Sequence, residues 1–293
     1  MDENRAVKLE IRVSPSWAAG WLREHLWSKA WGVALVSATL RALGSFEHYR
    51  SLTGLGQEVA GEVFESTLEY GRQARLVVPW MEQTPGRGKQ DRAYFSEVAR
   101  LLPSLLLEEE GGCLVLFNSR DSMQLVYREL PPEFRGQVLM QGNGLTRAAL
   151  MDTPRERVEA GRASVLFGLA SFAEGVDLPG QLCRHLVITR LPFQPFNHPV
   201  ARNVREWMGN SHFRRFSLPQ ASIRLIQACG RLLRNEEDHG RITILDRRLL
   251  LASYGKILLE HLPAYRFQAE NSAVELVAEQ AETSAAAGGV LIF

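Results

Sequence analysis

The sequence predicts an α/β fold, a parallel sheet sandwiched by helices. Short apolar or β-branched runs alternate with longer helical stretches along the chain. Several of those runs are apolar throughout, as strands covered on both faces are. A chain of 293 residues suits one large α/β domain with attachments or two medium domains. With 45% hydrophobic and 23% charged residues it can bury a core of useful size.

Taken in order, strands are expected at Ala34–Ser37, Arg75–Val78, Leu114–Phe117, Gln137–Met140, Ser164–Phe167, Leu186–Thr189 and Ile242–Leu245. Helices are expected over Arg92–Leu107, Ser119–Glu129 and Pro199–Met208. Thr84–Asp91, with a proline, two glycines and several charges, reads as a loop. Ser217 and Gln220 have capping-box spacing and Pro219 suits a first turn, so a further helix starts near Leu218. From about Gln268 the chain is rich in Ala and Glu and reads as a helical extension or a disordered tail.

Lys plus Arg number 34 against 33 Asp plus Glu, so a nucleic-acid surface must be a local patch. Cys113, Cys183 and Cys229 are far apart among apolar neighbours, which fits buried thiols and gives no disulfide, zinc or iron–sulfur spacing. No apolar stretch reaches the ~18 residues of a membrane span, and the charged N-terminus has no signal-peptide core. The expectation is a cytoplasmic protein with no membrane partner.

Four stretches carry candidate chemistry. In Gln227-Ala-Cys-Gly230-Arg231-Leu-Leu-Arg234, a continued helix would bring Gln227, Arg231 and Arg234 within about 60° of one another. Gly230 leaves room beside them. Two guanidiniums together call for an anion between them, a phosphate chain or carboxylates across a domain boundary. The run from Ser164 to Gly180 is a strand opening into a small-residue loop with Glu174, Gly175 and Asp177, placed where ligands bind in open α/β sheets. Its carboxylates suit backbone amides, an arginine or a metal-bound water. Val36-Ser37-Ala38-Thr39-Leu40 is a strand ending in two hydroxyls. Leu114-Val-Leu-Phe117-Asn118-Ser119-Arg120 is a buried strand opening onto a helix N-terminus, a ready anion site.

In this order the four pieces resemble motifs III (VSATL), IV (LVLFNSR), V (SFAEGVDLPG) and VI (QACGRLLR, then ILDRRLL) of superfamily 2 helicases of the XPD-like group, and in detail the DinG family. SLPQASIRLIQ and YGKILLEHLP are similar too, so the resemblance runs from about residue 11 to 265. It implies a RecA-like C-terminal motor domain over residues 45–265, a joint or the end of the first motor domain over 1–44, and a tail over 266–293. It implies that Arg231, Arg234 and Gln227 act on the γ-phosphate of ATP held by a partner motor domain, with Gly230 beside them. Glu174, Gly175 and Asp177 would couple nucleotide to DNA, and Ser37 and Thr39 would sit at the joint. Ser119, Arg120 and Ser171 would touch DNA.

The DNA side has local support. From Arg184 to Leu250 there are twelve arginines, no lysine and five carboxylates, the footprint of a phosphate-tracking groove. Among the interleaved rings Phe193, Phe196, Trp207, Phe213 and Phe216, most are expected in the core. Phe196 and Phe213 are the exceptions, joined on the DNA side by Arg202 and Arg214.

A complete helicase needs more than this. Gly86-Arg-Gly-Lys89-Gln90 lacks the spacing and hydroxyl of a phosphate loop, and Glu236-Glu-Asp-His239 reads as a solvated charge run in a turn. The resemblance therefore implies that ATP and Mg2+ are bound mainly by the first motor domain, which would also carry any iron–sulfur cluster; this chain has none. The chain alone is expected to be inactive, its partners being that domain and single-stranded or forked DNA, with 5′–3′ unwinding in the intact protein. The alternatives are a nucleic-acid-binding or partner-docking module without motor activity and, with no nucleophile–base pair to support it, an unrelated α/β enzyme.

Overall fold

A computed structural model describes residues 15, 17–107, 111–170, 177–195, 199–269 and 289–290. Its strands are β1 (Phe64–Glu65), β2 (Ala74–Val78), β3 (Gly112–Phe117), β4 (Val138–Met140), β5 (Ser164–Leu169), β6 (His185–Ile188), β7 (Gly240–Ile244), β8 (Arg266–Ala269) and β9 (Gly289–Val290). β1 and β9 form a small antiparallel pair. The other strands form one sheet in the order β4-β5-β3-β6-β7-β2-β8, and every neighbouring pair in it is parallel.

Alternation along the strands decides which face each residue serves. Leu114 and Leu116 of β3 point to one side, with Leu186, Ile188, Ile242 and Ile244, and there they meet Leu150, Leu218, Leu225 and Leu258 from covering helices. Val115 and Phe117 point to the other, with Phe167 and Val187, against Phe95, Val98 and Leu102 of the Lys89–Leu107 helix and Met123 and Val126 of the Arg120–Glu129 helix. A sheet buried on both faces needs uniformly apolar strands, and β3 is buried along its whole length.

Six of the seven expected strands are present within a residue or two, and the Pro199–Met208 helix has the expected bounds. Ala34–Ser37 is not a strand. Val33 and Val36 lie exposed next to a fully exposed Trp31, and only Ser37 at the end of the run makes an isolated β-bridge. In the other direction, the sheet runs past residue 265, because Arg266–Ala269 pairs with β2 as its edge strand. All three cysteines are buried free thiols.

From β3 the chain goes out to β4 and returns to β5, then crosses to β6 and β7 on the opposite side. The switch lies between β3 and β6, and a crevice at the carboxyl edge is the geometric consequence. At the amino edge, register lines up His185, Arg241 and Arg75 in one cross-strand row. His185 and Arg241 are buried there, and His185 Nε2 shares a 2.7 Å hydrogen bond with Thr243 Oγ1. Burial, and then the Arg241 and Arg75 charges, lower the His185 pKa to about 3, so the ring is neutral.

Candidate active site and nucleic-acid face

The Leu218–Cys229 helix and the turn that follows it bring Gln227 and Arg231 to the crevice. The expected capping box is absent. Ser217 has helical dihedrals and makes no cap bond, because a π-helical turn over Phe213–Ser217 feeds directly into the helix. Its hydroxyl instead meets His212 Nδ1 at 3.2 Å, and the Gln220 amide donates to His48 Nε2 at 3.1 Å. His48 in turn contacts the Arg215 carbonyl through Nδ1; burial lowers its pKa.

The helix also stops earlier than a continuous wheel requires. Beyond Cys229 the chain tightens into i→i−3 turns, Arg231 N–H to the Ala228 carbonyl and Leu232 N–H to the Cys229 carbonyl, each 3.1 Å. Leu232 and Leu233 are adjacent and both buried, and the backbone N–H groups of Arg234 and Asn235 are captured by Asp238 at 2.7 and 3.1 Å. Gln227 and Arg231 therefore still face the crevice, while Arg234 is carried away from the helical wheel. Gly230 sits at φ −63°, an ordinary helical value.

The crevice is a cleft of about 280 Å³ at the carboxyl ends of β3 and β5 and in the segment after β6, with Asn118, Leu169 and Phe193 on one side and Arg224, Gln227 and Arg231 on the other. Two guanidiniums and an amide thus face a largely apolar wall, and no carboxylate is among its described lining residues. Such a donor set suits phosphate oxygens. Arg224 escaped the sequence reading, although positions 224, 227, 228 and 231 repeat at helical spacing. Asn118 also lines the cleft, its amide donating to the Leu191 carbonyl at 3.0 Å.

Thr39 reaches this helix from the other end of the chain. The Gln227 amide donates to Thr39 Oγ1 at 2.8 Å, and Ser37 Oγ accepts from the Thr39 amide at 3.3 Å. Arg234 pairs instead with Asp177, Nη1 to Oδ1 at 2.7 Å. Glu174, Gly175, Ser171 and Phe196 lie outside the described residues.

Asp238 does not belong to a solvated run. It is 3% exposed, and besides the Arg234 and Asn235 amides it accepts from Gly180 N–H at 3.0 Å. Only its neighbours Glu236, Glu237 and His239 are exposed. Cys183 nearby has its thiol pushed up to about 12, by burial first, with Arg234 opposing and Asp238 reinforcing. Cys229 is raised to about 12, chiefly by burial. Neither is a thiolate nucleophile near neutral pH.

On the DNA-side set, Ser119 is the N-cap of the Arg120–Glu129 helix and accepts from Ser122 N–H at 3.2 Å. Arg120, Arg202 and Arg214 are exposed. Phe213 is 40% exposed, stacked on Phe193 at 5.9 Å and edge-on to Tyr254 at 5.4 Å. Phe216 is buried as expected, whereas Trp207 is exposed with its ring 5.1 Å from Trp17. Among the described residues no cluster of three metal-ligating side chains occurs, and no helix is long and apolar enough to cross a membrane.

Residues 102–265 match the helicase C-terminal domain family. The chain is 38% identical over 264 residues to the ATP-dependent DNA helicase DinG of Photobacterium profundum, covering 87% of this chain and 37% of the relative. It is 36% identical over 261 residues to the Escherichia coli K12 protein of the same name, covering 87% and 35%. The chain therefore spans about a third of the length of these relatives. A solved XPD helicase superposes with TM-score 0.57 at 15% identity, over 77% of this chain and 41% of that one. An apo XPD structure superposes with TM-score 0.53 at 18% identity, over 71% and 41%. The sheet with its flanking helices is thus the RecA-like α/β fold of helicase motor domains. A family match across more than half the sequence establishes the kinship, and the similarity to the DinG proteins runs along most of the chain: this chain belongs to the helicase C-terminal domain family.

Proposed function

We propose that the chain is the second motor half of an ATP-dependent DNA helicase that unwinds in the 5′–3′ direction in the bacterial cytoplasm. The observation that carries this reading is the cleft itself, where Arg231, Arg224 and Gln227 converge at the carboxyl edge of a parallel sheet while Gln227 is bonded to Thr39. ATP, held with Mg2+ on the first motor domain, supplies the phosphoryl group. Any iron–sulfur cluster also belongs to that domain. Arg231 donates to the γ-phosphate oxygens as charge develops on them, and Gln227 orients phosphate or attacking water. Arg234 pairs with Asp177; it exchanges that carboxylate for phosphate when the two domains close.

In this reading residues 45–265 form the motor domain, 1–44 the joint and 266–293 a tail whose first strand completes the sheet. The exposed Trp21, Leu26, Trp31, Val33 and Val36 of the joint are the apolar surface on which the first motor domain seats. Glu174, Gly175 and Asp177 couple the cleft to single-stranded or forked DNA. That DNA runs over Ser119, Arg120, Ser171, Phe196, Arg202, Phe213 and Arg214, its phosphates on the arginines and its bases on the rings.

The test is single-stranded-DNA-stimulated ATP hydrolysis by the parent protein, wild type against Arg231→Ala. The variant is expected to lose about 10³-fold in turnover while ATP and DNA still bind. Unchanged turnover would instead make the chain a nucleic-acid-binding module without motor activity.

A further inference from the structure

Three hydrogen bonds to Asp238 and one neighbouring ion pair close into a ring. Its Oδ2 accepts from the backbone N–H of Arg234 at 2.7 Å and of Asn235 at 3.1 Å. Its Oδ1 accepts from Gly180 N–H at 3.0 Å. Gly180 follows Asp177 by three residues, and Asp177 closes the ring through its 2.7 Å ion pair with the Arg234 side chain. One carboxylate therefore clamps the segment after β5 to the turn after the Leu218–Cys229 helix. Backbone N–H groups bonded to a buried anion are held more firmly than by neutral acceptors, and burial of Asp238 keeps water from competing for them. Gly180 accepts its place at φ +58°, in the region that favours glycine. Nearby, Gly240 ends the same turn where an added Cβ would lie 2.1 Å from the Arg184 carbonyl, so the turn has little freedom to shift on its β7 side.

We infer that Asp238 is a positioning residue: it makes Arg234 and the Asp177–Gly180 segment move as one body, so that a displacement of the DNA-side loop reaches the arginine directly. Asp238 touches neither nucleotide nor DNA, and its effect passes through Arg234. This rests on the proposed helicase reading, which gives Arg234 a task in turnover. Asp238→Asn keeps the shape but removes one acceptor oxygen, leaving either Gly180 N–H or the Arg234 and Asn235 pair without its partner.

The experiment is a double-mutant cycle on DNA-stimulated ATP hydrolysis by the parent protein. Asp238→Asn is expected to lower kcat about tenfold, with the ATP KM and the single-stranded-DNA Kd changed by less than about twofold. In an Arg234→Ala background the same substitution is expected to lower kcat no further. Asn235→Ala is the second variant, should Asp238→Asn fold poorly. It removes the acceptor of the Glu237 and Asp238 N–H groups, at 2.9 and 3.0 Å, from the exposed side of the turn. Its smaller loss is expected to vanish in the Arg234→Ala background too. If Asp238→Asn leaves kcat unchanged, or if its loss multiplies that of Arg234→Ala, Asp238 is merely structural and the inference falls while the helicase reading stands. If Arg234→Ala itself turns over like wild type, the assignment of Arg234 fails, and this inference with it.

Discussion

The side-chain amide of Gln227 donates to the Thr39 hydroxyl at 2.8 Å, joining residues 188 positions apart. Both are partly open to solvent, so a neutral bond of this kind adds only about 0.5–1.5 kcal/mol to folding. Thr39→Val deletes the acceptor and keeps the shape. The melting temperature is expected to fall by no more than a few degrees, while DNA-stimulated hydrolysis by the parent protein slows about tenfold. Equal turnover in the two proteins would reduce the bond to a packing detail.

The two cleft arginines are expected to differ from lysines in kind. Arg231→Lys retains the charge but loses the planar fork that matches phosphate oxygens. It should therefore recover less than a tenth of the activity lost in Arg231→Ala, on the order of 10³-fold. Arg224→Ala should cost about tenfold. Steady-state kinetics of the three variants, with circular dichroism to establish folding, check both expectations. Full activity in Arg231→Lys would mean that charge alone is used there.

Two glycines separate fold from function. At Gly240 an added Cβ would lie 2.1 Å from the Arg184 carbonyl, a backbone clash. Gly240→Ala should destabilise the isolated chain by several kcal/mol, about 2–4. At Gly230 the nearest atom is 3.4 Å away and φ is −63°, so Gly230→Ala should leave the urea midpoint unchanged. If the parent's turnover nevertheless drops in Gly230→Ala, the space beside it is needed by something outside this chain.

His185 carries a pH signature. Its folded pKa is lowered to about 3, first by burial and then by Arg241 and Arg75, against 6.5 in the unfolded chain. Between those values the unfolded state binds the extra proton, so stability rises with pH. The contribution is complete above about pH 6.5 and drains at about 1.4 kcal/mol per unit as pH falls toward 3. His48 and His212 are lowered too, each chiefly by burial, and add the same sign. Urea unfolding of His185→Gln should show a shallower acid slope than wild type, the gap closing by about 2–3 kcal/mol from pH 6.5 to 4.5. Parallel slopes would mean that His185 is charged in the folded protein.

What was legible in the sequence follows from physics that is local. The buried strands announced themselves through short apolar runs, continuous in β3 and with polar residues on one face in β6 and β7. Ser119 announced a helix start because an N-cap is a one-turn interaction. Arg231 and Gln227 share a cleft because the helix period reaches nearly that far. Arg234 was misplaced on the wheel because the helix ends at Cys229 and the turn after it is bonded by Asp238, which also holds Gly180 from 58 residues upstream. The same distance hid Asp238 among exposed acids. Ala34–Ser37 reads as a strand by composition, but its Ala34 and Val36 side chains lie in solvent and only Ser37 makes a single β-bridge. Edge strand β8 was missed because half of it faces solvent and its Arg266-Phe-Gln-Ala269 has no apolar run.

The strand order also fixes a timetable. β2 is the first strand of the large sheet to be synthesised, yet both of its neighbours, β7 and β8, come from residues 240–269. As the chain leaves the ribosome, β3 to β6 can pair among themselves, while β2 waits with both edges bare until residues 240–269 have emerged. Bare, apolar strand edges are what holdase chaperones bind and what aggregation exploits. A nascent chain stalled before residue 240 would therefore expose Leu76 and Val78 without their partners, and quality control would meet this protein at β2.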